Sequence, residues 1–391
     1  MATFDVVGTF ERIKESENFK EFTERTSDSG WTSQRYRYNV LSGTNRTLMQ
    51  SEALFKADMS NNIMLYTKAE YDNGKLVKEG ERTDIPFKNR LSVDCSKYPT
   101  SRLYIIDLNT KKDRNAAIEI RRRLNEQLDL SSEDLDSFGV SSQKEAEDKL
   151  KKVNSNRHVY VSEYDFLVEV KALIENEAYH GKKFRVRGNV AYSYNEANGQ
   201  FYSNNRPNRI ELADEEEDVY AKCTVKLFYT KSSFNDDSYE DDHTVLINGY
   251  DRYYDSGRNI KRNLYKPTTI VYHIKNDSKA DHQYAGFKNR FTVTDPDKVM
   301  TRTIICNMVN GSEVVNIDKS MFSEEQLEDI ELGFKTEAEV IAELGGTTYG
   351  NFVNEWQFSK IRGDAEDTGF TVDDIDESLH PADDDDTDLF D

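Results

Sequence analysis

The sequence contains few of the residues and motifs that identify several common protein classes. Its 391 residues include only three cysteines, Cys95, Cys223 and Cys306. Three widely spaced cysteines are too few for a disulfide framework or a CxxC metal site, so we expect separate, reduced thiols. No segment has the 18 or more apolar residues of a membrane helix, and the first residues enter a strand pattern without the regions of a signal peptide. We therefore expect a cytoplasmic protein that is neither secreted nor membrane-bound.

Recognisable catalytic motifs are also missing. The sequence has no glycine-rich loop followed by Lys-Ser/Thr, no GxSxG elbow and no HExxH pair. Two acidic groups, Asp236–Asp237 and Asp241–His243, offer oxygen ligands that could hold Mg²⁺. They lie in a run of Asn, Asp and Ser that is more typical of a solvated loop. The sequence therefore predicts no enzyme activity, no cofactor and no metal.

The negative charge is concentrated at one end of the chain. The net charge is −21, from 73 acidic and 52 basic residues, but 13 of the acidic residues follow Gly363, where no Lys or Arg occurs. The preceding 363 residues therefore carry a net charge of only −8. With 36% hydrophobic residues, 22 tyrosines and 20 phenylalanines, this body is typical of a soluble, sheet-rich protein with an aromatic core.

Five strand-like segments follow a predicted helix over Glu163–Glu177. They are Phe184–Tyr194, Gly199–Leu212, Tyr220–Tyr229, Thr244–Tyr254 and Thr268–Ile274. The first and fourth contain a glycine, Gly188 or Gly249, followed by tyrosines. Because glycine inside a strand marks the bends that a small closed barrel needs, we predict an OB-like five-stranded barrel. An ordinary β-sandwich is the alternative.

The remaining patterns complete the predicted fold class, a β-rich α+β protein. Alternation predicts strands before residue 110, and helical spacing begins at Lys111. The predicted parts are an N-terminal β domain (1–110), a helical bridge (111–157), the OB-like domain (158–320), a C-terminal helical region (321–363) and a disordered acidic tail (364–391). On the bridge, Arg121–Arg123 are expected to pair with Glu119 and Glu126. The tetrapeptide Phe87–Arg90 recurs as Phe287–Arg290, which fits a duplicated β module.

Tyrosines and cations are interleaved in the OB-like region, where 15 of the 22 tyrosines lie between Tyr160 and Tyr284. Single-stranded nucleic acid is bound by this combination, because cations follow the phosphates while exposed rings stack on bases. Alternation places Lys183, Arg185 and Arg187 on one face of a strand. The predicted nucleic-acid-binding residues are Lys183, Arg185, Arg187, Tyr192, Tyr194, Tyr202, Arg206, Arg209, Lys226, Tyr229, Arg252, Tyr253, Tyr254, Arg258, Lys261, Arg262, Tyr265 and Lys266. Solvated cations around core tyrosines are the alternative.

A second binding surface is suggested in the N-terminal region. Trp31, Tyr36 and Tyr38 alternate there with Arg35 and Arg37. Trp31 is equally compatible with a core position.

The end of the chain combines acidic residues with an aromatic tip. A terminal ring after an acidic run can enter an apolar pocket that a partner rims with Lys and Arg. A tail that only increases solubility is the alternative. The predicted partner-binding residues are Asp383, Asp384, Asp385, Asp386, Asp388, Leu389 and Phe390.

Together, this tail and the barrel-like pattern of Phe184–Ile274 resemble the single-stranded-DNA-binding proteins of bacterial and bacteriophage replication. The resemblance implies a non-catalytic protein that coats single-stranded DNA in replication and recombination. It also implies that the tail recruits a polymerase, helicase or primase, with Leu389 and Phe390 as anchors and Asp383–Asp386 as steering charges. Phe390 is penultimate, whereas bacterial members end on Phe, and the length of the chain points to a large phage protein in the host cytoplasm.

Two other functions are compatible with the composition. An acidic protein that mimics DNA would occupy the basic groove of a partner enzyme. A β protein of phage virion assembly would need neither DNA nor the tail. Only DNA binding requires the interleaving of tyrosine with arginine.

Overall fold

A computed structural model describes residues 1–126, 130–195, 197–253, 264–316, 322–343 and 347–379. The fold is rich in strands, most of which belong to one large sheet. The strands are β1 (Thr3–Arg12), β2 (Phe22–Thr26), β3 (Trp31–Ser42), β4 (Asn45–Lys56), β5 (Asn62–Tyr66), β6 (Glu70–Asp72), β7 (Lys75–Lys78), β8 (Arg82–Pro86), β9 (Tyr104–Asp107), β10 (Arg157–Tyr160), β11 (Lys183–Asn195), β12 (Gln200–Leu212), β13 (Tyr220–Tyr229), β14 (Phe234–Asn235), β15 (Thr244–Tyr253), β16 (Leu264–His273), β17 (Lys298–Asn316) and β18 (Thr347–Thr371). The α-helices are α1 (Lys111–Asn125), α2 (Ser132–Phe138), α3 (Gln143–Ser155), α4 (Glu163–Glu175), α5 (Tyr239–Asp242), α6 (Ala280–Phe291), α7 (Glu324–Glu331), α8 (Glu337–Glu343) and α9 (Val372–Leu379).

The five predicted segments form strands β11, β12, β13, β15 and β16, but these strands do not close on one another. β11 pairs with β12, and β13 pairs with β15, while β1 lies between the two groups. β1 fits there because Phe4 and Val6 reach the core while its two backbone edges pair with β11 and β13. The predicted barrel is therefore corrected, since its segments are divided between two sets of strands.

The first set is a closed ring of backbone pairings, which we call ring 1. Its order is β1–β3–β4–β12–β11 and back to β1, and all pairs are antiparallel except β4 with β12. Helix α4 packs against β4. Its residues Phe166, Leu167 and Val170 are buried, as their helical spacing predicts. A bulge interrupts β11 at Gly188, where a Cβ atom would lie 2.0 Å from the carbonyl oxygen of Arg206. The glycine thus permits the bend that the sequence indicates.

The second set, ring 2, has the same order. It runs β13–β15–β16–β18–β17 and back to β13, and its parallel pair is β16 with β18. Its third strand, β16, is followed by α6. Each copy of the repeated tetrapeptide lies between the third and fourth strands of its ring in chain order, Phe87–Arg90 after β8 and Phe287–Arg290 in α6. The two rings therefore share one strand order.

Strand β1 joins the rings. Its residues Thr3–Val7 pair with β11 on one edge and with β13 on the other. One hydrophobic cluster extends through both rings, from Val6 and Tyr36 in the first to Ile247 and Ile304 in the second. Ring 1 takes strands from both sides of residue 110, so it combines segments of the predicted N-terminal and OB-like domains.

The predicted helical bridge is an insertion within ring 1. Helices α1, α2 and α3 enclose a small core around Ile120 and Phe138, and the flanking strands β9 and β10 pair with each other. Arg122 pairs with Glu119 and Glu126, and Arg123 with Glu119, as expected. Arg121 instead donates to the side chain of Asn154.

The C-terminal region differs from the prediction. Only α7 and α8 are helical among the described residues between 321 and 363, and the long strand β18 follows them. β18 forms because Trp356, Phe358 and Ile361 pack against the core while its backbone pairs with β17. Regular structure continues into the segment predicted to be a disordered tail, where Ile375 of α9 is 1% exposed. The tail residues from 380 onward, Phe390 included, lie outside the described residues.

No helix in the described parts of the chain is both long and apolar enough to cross a membrane.

Candidate nucleic-acid interface

The cations of β11 project from ring 1, as alternation predicts. Phe184 and Val186 point into the core at 0% exposed, whereas Lys183, Arg185 and Arg187 are partly exposed on the opposite face. Each of these cations has a partner within the chain. Lys183 donates hydrogen bonds to the carbonyl oxygens of residues 215 and 217. A ligand would therefore compete with internal acceptors for these groups.

Acidic side chains accept from the arginines of this face. Arg185 donates two hydrogen bonds to Asp5, at 2.9 and 2.5 Å. Arg187 and Arg209 both pair with Glu211, which is only 4% exposed. These two guanidinium groups hold the pKa of the Glu211 carboxyl below its usual range, although burial acts in the opposite direction. Two arginines around one carboxylate leave a net positive charge.

Most of the predicted stacking tyrosines are core residues. Tyr192, Tyr229, Tyr253 and Tyr265 are each 5% exposed or less, so no ring face is available to a base. Tyr229, for example, points inward beside Phe291, with 5.3 Å between ring centroids. Alternation directs Tyr192, Tyr229 and Tyr253 into the core whatever their chemistry. Tyr265 lies on the opposite face of its strand and is covered there by Ile375 of α9. The prediction is corrected for these four residues.

Tyr194 and Tyr202 have other positions. Tyr194 packs against Phe201 with ring centroids 4.9 Å apart, near the turn between β11 and β12. Tyr202 is 46% exposed and accepts a hydrogen bond from Asn198. Tyr202 therefore presents a ring to solvent.

The predicted residues of ring 2 are more dispersed. Lys226 pairs with Glu366 of β18 at 2.9 Å, and Arg252 is exposed. Lys266 lies 5.0 Å from the ring centroid of Tyr192, between the two rings, where burial lowers its pKa. Tyr254, Arg258, Lys261 and Arg262 lie outside the described residues.

A group of arginines lies near Glu52 on the outer face of β3, β4 and β12. Arg35 and Arg206 pair with its two carboxylate oxygens, at 2.9 and 2.5 Å. Arg37 lies two residues from Arg35 and donates to the side-chain oxygen of Gln50 at 3.1 Å. Two guanidinium groups therefore bind the Glu52 carboxylate, and a third lies beside them on β3. We call Arg35, Arg37 and Arg206 the arginine surface.

Aromatic rings border the arginine surface. Phe19 is 36% exposed, and the guanidinium carbon of Arg37 lies 5.1 Å from its ring centroid. Trp31 is half-buried at the start of β3, with Lys56 5.9 Å from its ring. The suggested second binding surface thus contains Arg35, Arg37 and Trp31. Its Tyr36 and Tyr38 are 0% exposed core residues, and Phe19 was not predicted because it precedes the alternating run.

Two adjoining cavities continue from the arginine surface along ring 1. The larger, about 730 Å³, is lined by Arg206, Glu52 and Tyr104. The smaller, about 380 Å³, is lined by Arg187, Arg209 and Lys222. Asn189 and Asn208 line both cavities. The shared residues join the cavity beside Arg206 to the cavity beside Arg187 and Arg209.

A buried carboxyl group lies in the wall of the larger cavity. Glu163, at the start of α4, accepts hydrogen bonds from the backbone N–H of Glu52 at 3.1 Å and from the Tyr104 hydroxyl at 3.2 Å. Burial raises the pKa of Glu163 to about 7, and the nearby Arg206 only partly offsets this. The charge beside the arginine surface therefore changes near neutral pH.

No group of three or more potential metal ligands is found among the described residues. Asp236, in the acidic loop before α5, binds Lys288 and Tyr284, and these two groups hold the pKa of its carboxyl below the usual range.

Comparison with known proteins gives little further information. No protein-family model matches the chain, and no curated protein matches it. Among solved structures, wild-type single-stranded DNA binding protein from Thermus aquaticus is similar at a TM-score of 0.28 and 7% identity, covering 79% of this chain and 85% of that chain. A deletion mutant of the same Thermus aquaticus protein has a TM-score of 0.26 and 8% identity, covering 79% of this chain and 87% of that chain. Likeness at this level carries no argument about function.

Proposed function

We propose that this chain is a non-catalytic protein that binds single-stranded DNA, and that its two rings are OB-like modules. The shared order of five strands, with a helix after the third, supports the second part of the proposal. OB-folds bind oligonucleotides on the face of their second and third strands. In ring 1 these strands are β3 and β4, which carry most of the arginine surface.

The arginine surface is the observation that carries the proposal. Arg35, Arg37 and Arg206 present guanidinium donors beside two partly exposed rings, Phe19 and Trp31. Phosphates can bind these groups as further acceptors, because a guanidinium has five N–H donors and Glu52 uses only some of them. Bases can stack on the rings, which contributes about 1–3 kcal/mol per base without regard to sequence. This chemistry fits general coating of single strands.

The phage-type role and the use of the tail belong to the same proposal. The single strand would be coated during phage DNA replication or recombination in the host cytoplasm, and Asp383–Phe390 would recruit a polymerase, helicase or primase. The support is the sequence of the tail, in which Leu389 and Phe390 follow five aspartates. The acidic charge of this segment also makes it a competitor of DNA for cationic groups.

Oligonucleotide titration tests the proposal. Fluorescence anisotropy with labelled poly-dT and with a duplex of the same length should show preference for the single strand, at similar affinity for different base sequences. An Arg35→Ala, Arg37→Ala double variant should bind at least tenfold more weakly. The matched control is Arg121→Ala, Arg122→Ala on α1, which is remote from β3 in the fold and should bind normally. Equal affinity for the two DNA forms would contradict the proposal.

A chain ending at residue 379 separates the proposal from DNA mimicry. Removal of the tail should raise the affinity of the remaining chain for DNA, since a competitor is lost. A DNA mimic would instead bind no oligonucleotide, with or without these residues.

A further inference from the structure

A third cavity lies where the two rings meet. It has a volume of about 230 Å³ and is lined by residues of β4 and β12 from ring 1 and of β17 and β18 from ring 2. The rings touch closely there, because a Cβ atom on Gly311 of β17 would lie 2.5 Å from the carbonyl oxygen of Thr44. The backbone N–H of Asn310 also donates to the side chain of Asn45 at 3.3 Å. The cavity is therefore a product of the packing between the rings.

The lining combines one large aromatic ring with several amides. Trp356 lies in one wall, and the side chains of Gln50, Asn204, Asn310 and Asn354 supply both donors and acceptors. The described residues offer no hydrogen-bond partner to the amides of Asn204, Asn310 and Asn354. Such unengaged amides beside an indole match the two needs of a nucleobase, a face for stacking and an edge of mixed donors and acceptors.

The size of the cavity limits what it can hold. The volume is smaller than the roughly 300–1,000 Å³ of pockets for drug-sized ligands, which suits a single base.

The cavity is connected to the arginine surface through Gln50. This side chain is 5% exposed, lines the cavity and accepts the hydrogen bond from Arg37. A strand whose phosphates lie along Arg35 and Arg37 can therefore reach the cavity at the end of its path over ring 1.

We propose that this cavity binds one unstacked nucleobase of the single strand where the strand passes from ring 1 to ring 2, with the base against Trp356 and its edge on the amides. The inference rests on the proposed binding of single-stranded DNA. It adds a specific site that neither the cations nor the tyrosines of the sequence indicate.

The two tryptophans allow a direct test, since Trp31 and Trp356 are the only ones in the chain. A Trp31→Phe variant reports Trp356 fluorescence alone, and Trp356→Phe reports Trp31 alone. Titration with poly-dT should quench the fluorescence of Trp356. The quenching should saturate at the same poly-dT concentration as the anisotropy measured on the same sample. An oligonucleotide of equal length made of abasic sites should leave Trp356 emission unchanged, because it has phosphates but no bases.

A substitution in the amide wall gives an independent readout. Asn310→Leu should weaken poly-dT binding about three- to tenfold without lowering the melting temperature. Asn307→Leu is the matched control, because this asparagine is exposed on the same strand and does not line the cavity. Binding with quenching of Trp31 but not of Trp356, or equal quenching by the abasic strand, would overturn the base site and leave the proposed function intact. Absence of any binding in anisotropy would overturn both.

Discussion

The backbone N–H of Ala2 donates a hydrogen bond of 3.0 Å to the carboxylate of Asp251, 249 residues away along the chain. Both residues are 0% exposed. The bond joins the residue before β1 to β15, the second strand of ring 2, close to the contact of Tyr192 with Lys266. Asp251 is therefore one of the groups that hold the rings together.

Asp251→Ala should destabilise the protein. The change leaves the N–H of Ala2 buried without an acceptor, which costs about 1–3 kcal/mol. Urea unfolding of the variant should show a lower midpoint, and hydrogen exchange should accelerate at Val190, whose N–H donates to the carbonyl of Ala2. Asp241→Ala, at an exposed site of α5, is the control and should unfold like the unchanged protein.

The buried Glu163 predicts a specific dependence of stability on pH. Its folded pKa of about 7 lies above the ordinary value of 4.5, so the folded state binds the proton more tightly than the unfolded state. The stability that this group adds to the folded state is therefore fully present below pH 4.5 and is lost as the pH rises through about 7. Glu163→Gln should remove this loss and stabilise the protein at pH 8 by on the order of 1–3 kcal/mol.

Unfolding by urea at pH 5 and pH 8 measures this effect. The difference between Glu163→Gln and the unchanged protein should be large at pH 8 and small at pH 5. Glu169→Gln serves as a comparison at a less buried position of α4, at 20% exposure of its side chain. A Glu163→Gln protein that is less stable at pH 8 would contradict the assigned direction.

Salt dependence should identify the arginines that contact phosphate. Each phosphate contact to a single strand contributes about 0.7 to the slope of log affinity against log salt. Arg37→Ala and Arg206→Ala should each lower the slope by roughly that amount between about 50 and 200 mM salt and weaken binding to all sequences alike. An unchanged slope in both variants would exclude the arginine surface as the phosphate site.

A buried tyrosine should affect stability but not recognition. Tyr229→Ala should reduce the free energy of unfolding by about 3–5 kcal/mol, in the range for large aromatic residues in a core. Tyr202→Ala, at an exposed ring, should change stability by less than about 0.5 kcal/mol. Oligonucleotide affinity at a temperature where both variants are folded should be unaffected by Tyr229→Ala.

The end of the folded chain can be located by truncation. A chain ending at residue 379 should unfold like the full chain, whereas one ending at residue 363 should lose about 2 kcal/mol or more. The shorter chain lacks the end of β18 and Ile375, which covers Phe228 and Tyr265. Ile375→Ala in the full chain should reproduce most of that loss. Identical unfolding of the two truncated chains would contradict the packing of α9.

The sequence predicted the strands well and their partners poorly. Alternation predicted the bounds of β11, β13 and β15 to within one or two residues, because the pattern depends only on which side chains face the core. Pairing across long intervals leaves no such record, so the place of β1 between β11 and β13 was not predicted. The same lack of information about strand partners limits the prediction of the binding residues. Arginines are recognised by type, but whether Tyr229 or Tyr202 is exposed depends on which face of its strand the partners cover.

The position of β1 has a consequence for synthesis. Its partner strand β11 begins about 170 residues after β1 ends, and its other partner, β13, follows later still. At the usual 5–20 residues per second, roughly 10–35 s separate the emergence of β1 from that of its first partner in β11. During this interval the apolar segment Thr3–Val7, with two unpaired edges, is exposed on the nascent chain. Chaperone binding to this segment during translation would protect the chain until ring 1 can close.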